Sequence, residues 1–373
     1  MKMIAKMILF IFSVISIVST LLTNESSLIL SRLIPIDGQG AVQSETLLKM
    51  MSSENHYFSQ NVETEDTSIL SNMLEIATNI NIKDVRSLIF DEVPGLFAMT
   101  SDIIVAGEGT DFTNLPIESS PPLEELLKDR EVVEGSLDNL DDGDKEEQPP
   151  SIEKPKKNTV FIYHSHSRES FIPHIKDTSG ASTAQHKDIN ITLVGKRLGE
   201  KLMEKGIGTV VDTTDIPTVL SEHGWEYWQS YDASREVVQE ALAQNDDFVY
   251  LFDIHRDSAQ WKTTTTTMNG KNYAKLYFVL GESNPNYKKN EEFAKELNAM
   301  IKEKYPKLTR GIFRKDNSGG NNGVYNQDLS PDSILIEIGG PENTLEEMYN
   351  TVDLLADIIA EHYWEDDVIE VNG

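Results

Sequence analysis

The sequence contains no cysteine in its 373 residues. Disulfide frameworks, thiolate nucleophiles and metal sites ligated by cysteine are therefore excluded. Positive charge is also scarce, because 33 lysines and arginines stand against 62 aspartates and glutamates, for a net charge of −29. Nucleic acids and anionic membrane surfaces both attract clustered Lys and Arg, so we expect neither as a partner. Any metal in this protein must rest on His, Asp or Glu.

Long apolar runs are absent apart from residues 7–22, an uncharged segment preceded by Lys2 and Lys6. This run is barely long enough to span a bilayer as a helix. A secretory signal has the same charged start, but no small-residue cleavage motif follows the run. We therefore predict a single-pass membrane anchor at residues 1–23, with the N-terminus in the cytoplasm and the rest of the chain outside it. A cleaved signal or a buried helix is the alternative.

The segment between the anchor and the C-terminal half carries little recognisable chemistry. Residues 24–117 are mostly polar with short apolar clusters, which favours a small helical or mixed spacer or partner-docking module. Residues 118–148 hold twelve acidic and three basic residues and are followed by prolines. Such a stretch cannot bury enough apolar surface to offset its ordering entropy. We therefore predict an acidic disordered linker over residues 118–157, with room for a short helix between residues 123 and 132.

From residue 158 onward, strand-like runs alternate with amphipathic helical segments. This alternation predicts an α/β domain over residues 158–373, with a mostly parallel sheet covered by helices. The predicted strands are residues 159–163, 208–211, 246–254, 275–280 and 333–338, and the predicted helices are residues 189–205, 230–244, 290–303 and 346–363. Functional groups of such sheets gather at the carboxyl ends of the strands, so the polar residues found there are the candidates for chemistry.

The first predicted strand is followed directly by His164, His166 and Glu169. Residues two apart share a face of a strand, so both histidines would lie together if the strand continued, and Glu169 can return from the next turn. Nitrogen and oxygen donors in this arrangement suit a zinc site with three protein ligands and one open position. The alternative is a pair of surface histidines in a loop.

His255 follows a strongly apolar strand and is flanked by Asp253, Arg256 and Asp257. Burying these polar groups without partners would be costly, so packing alone explains the cluster poorly. A metal-ligating His whose other ring nitrogen is held by Asp253 or Asp257 is the predicted arrangement. A structural cluster of ion pairs is the alternative.

Glu337 interrupts the apolar strand at residues 333–338 just before two glycines. A carboxylate at this place suits a general base whose pKa is raised by burial. A Glu that caps a helix or pairs with Arg256 is the alternative. His186, at the start of a predicted helix, is a reserve metal ligand. An aromatic loop at residues 225–228 is of a kind that binds sugar or peptide, although we expect it chiefly to pack onto the domain.

Six segments together resemble the stage II sporulation protein P family, which are membrane-anchored cell-wall hydrolases of endospore formers. They are HSHSRESF at residues 164–171, NITLVGKRLGEKL at 190–202, GIGTVVDTTD at 206–215, SYDASR at 230–235, DIHRDS at 253–258 and ILIEIGG at 334–340. The resemblance covers roughly residues 158–363. It implies a fold related to the zinc-dependent N-acetylmuramoyl-L-alanine amidases, and peptidoglycan as the substrate.

The resemblance also implies roles for individual residues. His166 matches the first His of the amidase motif, His255 the later His and Glu337 the catalytic Glu. Where the amidases carry a ligand Glu before the helix at residue 190, this chain has His186, and Glu169 is favoured as the second ligand because it belongs to the compact HSHSRE cluster. We therefore expect zinc on these ligands, with Glu337 as the base and Arg256 stabilising an oxyanion or holding a substrate carboxylate.

The expected reaction is hydrolysis of the amide between the lactyl group of N-acetylmuramic acid and L-alanine, with cleavage of peptide cross-links as a further activity. The expected setting is septal wall remodelling during sporulation and engulfment. Other membrane sporulation proteins of a wall-degrading complex are the implied partners. A non-catalytic wall-binding scaffold and a zinc-dependent glycan deacetylase are the alternatives.

Overall fold

The structure is a computed structural model of the chain and describes residues 101–111, 121–137, 155–317 and 321–372. The predicted membrane anchor and most of the predicted spacer module lie outside these residues. Across the described ranges, no helix is both long and apolar enough to cross a membrane.

Seven strands form one mixed sheet and two more form a separate hairpin. The strands are β1 (Ser101–Ala106), β2 (Asn158–Tyr163), β3 (Gly208–Val211), β4 (Tyr250–His255), β5 (Thr265–Met268), β6 (Lys271–Ala274), β7 (Leu276–Gly281), β8 (Thr309–Lys315) and β9 (Asp332–Ile338). The order in the main sheet is β1-β8-β7-β9-β4-β2-β3, and β5 pairs with β6. Strands β3, β2, β4 and β9 are parallel to one another, whereas the pairs β9–β7 and β8–β1 are antiparallel.

Helices cover both faces of this sheet. They are α1 (Leu123–Leu126), α2 (Ile191–Glu204), α3 (Ile216–His223), α4 (Ser230–Gln244), α5 (Trp261–Thr264), α6 (Tyr287–Lys304) and α7 (Leu345–Asn372). On one face, alternate strand residues such as Ile162 and Ile254 pack against apolar stripes of α2, α6 and α7. On the other face, Phe161 and Leu251 pack against Val238 of α4. Period-two alternation in the strands thus supplies two apolar layers, and an α/β architecture follows.

The predicted strands and helices from residue 158 onward recur in the structure, but the sheet is mixed and larger than expected. Strands β1 and β8, the β5–β6 hairpin and helix α3 were not predicted. Strand β8 carries three charges and Gly311, whose φ is +110° and where a Cβ would meet Val105 O at 1.9 Å. The charges and the glycine make β8 hard to recognise as a strand from its sequence. The same glycine is what allows β8 to pair with β1, because a side chain at this position would collide with the β1 backbone. Because β1 lies before residue 158, the sheet crosses the predicted domain boundary.

Residues 121–137, which we call the strap, pack against the domain. Leu126 is buried, and Val132 forms an antiparallel bridge with Ile175. Val133 N donates a hydrogen bond to His174 O on the same stretch. The prediction of a disordered linker does not hold for these residues, because backbone pairing and one buried leucine outweigh their local excess of negative charge. Helix α1, within the strap, is four residues long and lies inside the predicted short helix.

Candidate metal centre

The candidate residues meet at the carboxyl ends of three neighbouring parallel strands. His166 and Glu169 lie in the loop after β2, His255 is the last residue of β4, and Glu337 is the next-to-last residue of β9. His255 and Glu337 are paired in register across β4 and β9, so their side chains leave the sheet on the same face. We refer to His255 and Glu337 as the strand half of the site, and to His166 and Glu169 as the loop half.

Among the described residues, His166, Glu169 and His255 form a buried group whose donor atoms all lie within 4.8 Å of one another. Glu169 Oε1 is 3.8 Å from His166 Nδ1, and Glu169 Oε2 is 3.7 Å from His255 Nδ1. These separations are too long for hydrogen bonds. They are close to the distance of about 3.3 Å that separates two ligands bound tetrahedrally to zinc. Two His nitrogens and one carboxylate are a donor set that fits zinc with one open position.

The surroundings of His255 favour a positive charge at this place. Its Nε2 lies 2.9 Å from Asp253 Oδ1, which leaves Nδ1 on the side of Glu169. Burial alone would lower the pKa of His255, but the negative charges of Asp253, Glu169 and Glu337 raise it to about 10. Three carboxylates around one buried imidazole therefore form a strongly cation-seeking site, which agrees with a metal centre.

Asp253 is the support that the sequence predicted for His255. Its carboxylate accepts hydrogen bonds from Ser165 N at 2.9 Å and from Ser165 Oγ at 2.6 Å. These bonds fix the carboxylate, which in turn orients the imidazole. Asp257, the other predicted support, forms a buried ion pair with Arg310 instead.

Glu169 is held in the site by the residue that follows His255. Arg256 N donates a hydrogen bond of 3.0 Å to Glu169 Oε2. Burial would raise the pKa of Glu169, but its contact with His166 and the charges of Arg256 and His255 lower it overall. Glu169 is therefore an ionised carboxylate, as a metal ligand must be.

Glu337 differs from the three candidate ligands in its electrostatics. It is 8% exposed, and its Oε2 has no hydrogen-bond partner among the described residues. Burial and the charges of Glu169 and Asp257 raise its pKa to about 8, although His255 and Lys315 act in the opposite direction. A buried carboxyl group with a pKa near neutrality and an unpartnered oxygen is suited to accepting and donating protons.

Arg256 occupies a different environment from the one expected. Its guanidinium donates hydrogen bonds to four carbonyl oxygens, those of Ser170, Ala181, Ala184 and Asp257. The residue is 2% exposed. These contacts tie the loop after β4 to the loop after β2, in place of the predicted contact with an oxyanion or a substrate carboxylate.

His164 and His186 do not join the three converging ligands. Strand β2 ends at Tyr163, so the alternation that would align His164 with His166 stops, and His164 Nδ1 instead lies 3.0 Å from Asp212 O. Burial lowers its pKa to about 4. His186 Nδ1 accepts hydrogen bonds from two backbone N–H groups and its Nε2 lies 3.0 Å from Arg130 O. Both of its ring nitrogens are thus engaged in holding the loop.

Two tyrosines that the sequence did not assign to the site pack against its histidines. The ring of Tyr227 stacks on His166 at a centroid distance of 4.8 Å. Tyr231, in the first turn of α4, lies 5.3 Å from His166 and 6.2 Å from His255. The available signal was that Tyr227 belongs to the aromatic loop at residues 225–228 and Tyr231 follows it, but which ring reaches which histidine depends on tertiary packing.

Comparison with known proteins finds two matches that cover most of the chain. A family model described as stage II sporulation protein P matches residues 83–360, a range that includes all the candidate residues. The Bacillus subtilis (strain 168) protein named stage II sporulation protein P is 42% identical over 322 residues. That match covers 85% of this chain and 80% of the Bacillus protein.

Proposed function

The chain belongs to the stage II sporulation protein P family, which implies a role in sporulation, and on this premise we propose that it is a zinc-dependent hydrolase of peptidoglycan amide bonds. The observation that carries the proposal is the convergence of three buried donor residues beside a fourth residue, Glu337, whose carboxyl group has an unpartnered oxygen. In a purely structural cluster, the donor atoms would be hydrogen-bonded to one another, and Glu337 Oε2 would have a hydrogen-bond partner.

His166, Glu169 and His255 would hold the zinc ion. When bound, zinc supplies a Lewis acid that polarises an amide carbonyl and lowers the pKa of a water molecule. Asp253 keeps His255 oriented for this task through its 2.9 Å contact with Nε2. Tyr227 and Tyr231 cover the imidazole rings of the site and restrict the access of bulk water.

Glu337 would perform the proton transfer. Its unpartnered Oε2 is available to take a proton from the attacking water and to pass it to the leaving amine. A pKa of about 8 lets the same carboxyl group act in both directions near neutral pH. Arg256 would act only through position, because its backbone N–H fixes Glu169 and its side chain fixes the loop.

The substrate that we propose is the amide between the lactyl group of N-acetylmuramic acid and L-alanine, with peptide cross-links as a second possible bond type. The support is the resemblance of the strand-end motifs to zinc amidases. In this proposal the N-terminal anchor keeps the domain on the outer side of the cell membrane at the sporulation septum. Other membrane sporulation proteins would then complete the wall-degrading complex.

The test uses the purified full-length chain and isolated peptidoglycan, with a chelator and with zinc restored, and identifies products by mass spectrometry. We expect stem peptides with a free L-alanine amino group only when zinc is present. The Glu337→Gln variant should bind zinc normally and release about 100- to 10,000-fold less product.

Other outcomes identify the alternatives. Release of acetate without free peptide would indicate a glycan deacetylase. Intact muropeptides after incubation with folded, zinc-loaded protein would refute the hydrolase and favour a wall-binding scaffold.

A further inference from the structure

We propose that Trp228 is a platform on which a sugar ring of the glycan strand stacks beside the candidate metal centre. This inference rests on the proposed function, because it names the part of peptidoglycan that the same site holds. It concerns the glycan, whereas the reaction proposed above concerns the amide bond.

Trp228 is the most exposed of the large apolar side chains in the described residues, at 71%. The next tryptophans in that order, Trp364 and Trp261, are 45% and 41% exposed. A tryptophan offers more apolar surface than any other side chain, and a folded protein gains stability by covering it. The indole of Trp228 is therefore accessible to a ligand.

Trp228 lies in a turn that is held by hydrogen bonds at both ends. Residues Tyr227–Gln229 form a 3₁₀ turn closed by a capping box, in which Glu226 N donates a hydrogen bond of 3.0 Å to Gln229 Oε1. Ser230 Oγ donates to Tyr227 O at 2.6 Å on the other side of the turn. Because both ends are fixed, the indole is presented with little loss of conformational entropy on binding.

The turn also fixes the distance between Trp228 and the site. Tyr227, the preceding residue, stacks on His166 at 4.8 Å. Adjacent Cα atoms are about 3.8 Å apart, so the indole of Trp228 begins one residue from a side chain that touches a candidate ligand. The backbone that carries the indole therefore lies next to the candidate metal centre.

The chemistry around Trp228 indicates a neutral sugar. The apolar face of a pyranose ring packs well on a flat aromatic surface, and its hydroxyl groups need polar partners at the edge. Glu222 and Glu226 are exposed close to Trp228 in the chain and offer carboxylate acceptors. The same carboxylates disfavour an anionic ligand. An N-acetylated amino sugar of a glycan strand fits these requirements.

The first test measures binding without any reaction. The full-length chain is titrated with an oligomer of four N-acetylglucosamine units in the presence of a chelator, and isothermal titration calorimetry reports binding. We expect Trp228→Ala to weaken binding about tenfold, and Trp228→Phe to retain most of it. The matched control Trp364→Ala changes another exposed tryptophan and should bind like the native chain.

The second test separates binding from chemistry. With long glycan strands as substrate, Trp228→Ala should raise KM about tenfold and leave kcat unchanged. Absence of oligosaccharide binding by the native chain, or equal loss in Trp228→Ala and Trp364→Ala, would overturn the proposal. Oligosaccharide binding by a chain that cleaves no peptidoglycan would instead overturn only the hydrolase.

Discussion

The two halves of the candidate site are positioned by different means. His255 and Glu337, in the strand half, sit on neighbouring buried strands whose backbone register places them side by side. His166 and Glu169, in the loop half, have no strand to fix them. The comparison teaches that a site can combine residues set by the sheet itself with residues that depend on contacts from distant parts of the chain.

Three groups of contacts hold the loop half. The guanidinium of Arg256 binds carbonyl oxygens on the loop that follows Glu169. Arg168, just before Glu169, binds Asp215 with two hydrogen bonds and the strap carbonyl of Leu126 with a third. The strap adds Arg130, which donates a hydrogen bond of 3.2 Å to Gln185 O, and Gln185 pairs with Glu169. The predictions below alter these contacts and those of the strand half in turn.

The largest expected effect is loss of a metal ligand, and its consequences should differ between the halves. His255→Ala and His166→Ala should both abolish stoichiometric zinc binding, measured by elemental analysis. Only His255→Ala leaves the buried Asp253 carboxylate without its cationic partner. We therefore expect His255→Ala to lower the free energy of unfolding by about 3 kcal/mol, and His166→Ala by about 1 kcal/mol, in urea titrations with a chelator present. Equal losses would show that the halves are not distinct.

Removal of the Arg256 side chain tests the bridge between the two halves. Arg256→Ala removes the guanidinium hydrogen bonds to four carbonyl oxygens, so we expect the free energy of unfolding to fall by about 3 kcal/mol and zinc affinity by about tenfold. Arg197→Ala is the matched control, because Arg197 makes a two-bond ion pair with Asp353 on the surface. That variant should lose about 1 kcal/mol or less and bind zinc normally. Unchanged zinc affinity in Arg256→Ala would contradict the bridging role.

The pH dependence of stability reports on His164, which lies two residues before the loop half. Its pKa is lowered from 6.5 to about 4 in the folded chain by burial. A histidine whose pKa is lower in the folded than in the unfolded chain stabilises the fold fully at pH values above its unfolded pKa. This stabilisation is lost as the pH falls towards the folded-state pKa. We therefore expect the metal-free chain to lose about 3 kcal/mol between pH 6.5 and pH 4 through this residue.

The control for this pH effect is His164→Asn, which removes the titrating group and keeps an N–H donor for Asp212 O. Its stability should decline correspondingly less over the same interval in urea titrations. If the stability of this variant declines as steeply as that of the native chain, a residue other than His164 is responsible for the pH effect.

The smallest effect is expected from the strap. Arg130→Ala removes a donor to Gln185 O, which lies opposite Glu169, and should cost about 1 kcal/mol. Because Gln185 pairs with Glu169, we expect the lost hydrogen bond to displace Glu169 and to lower zinc affinity by a factor of about five. Competition with a chromophoric chelator measures this affinity. Lys128→Ala, whose side chain is 59% exposed on the same strap, should leave zinc affinity unchanged. A strap that merely lies on the surface would give the same affinity for both variants.

The strand half was predictable because its signal is local. A carboxylate or histidine at the end of an apolar run is visible in the sequence, and parallel strands bring such ends together. His166 and Glu169 were also predicted, through their spacing and the family resemblance. The role of Arg256 was not predicted, because three of its four acceptors lie on a loop some 70 to 90 positions away in the chain. The strap was missed for a similar reason, since its composition is that of a linker and its order comes from pairing with residues around Ile175.

Strand β1 has a practical consequence for anyone who shortens this protein. It pairs with β8 along five register positions and so protects the outermost backbone groups of the sheet. A fragment that starts at the first recognisable motif would expose β8 as an unpaired edge strand, and such edges recruit other chains into intermolecular sheets. Aggregation of that fragment would then be mistaken for instability of the domain itself. A fragment that keeps the sheet intact must therefore begin no later than Ser101.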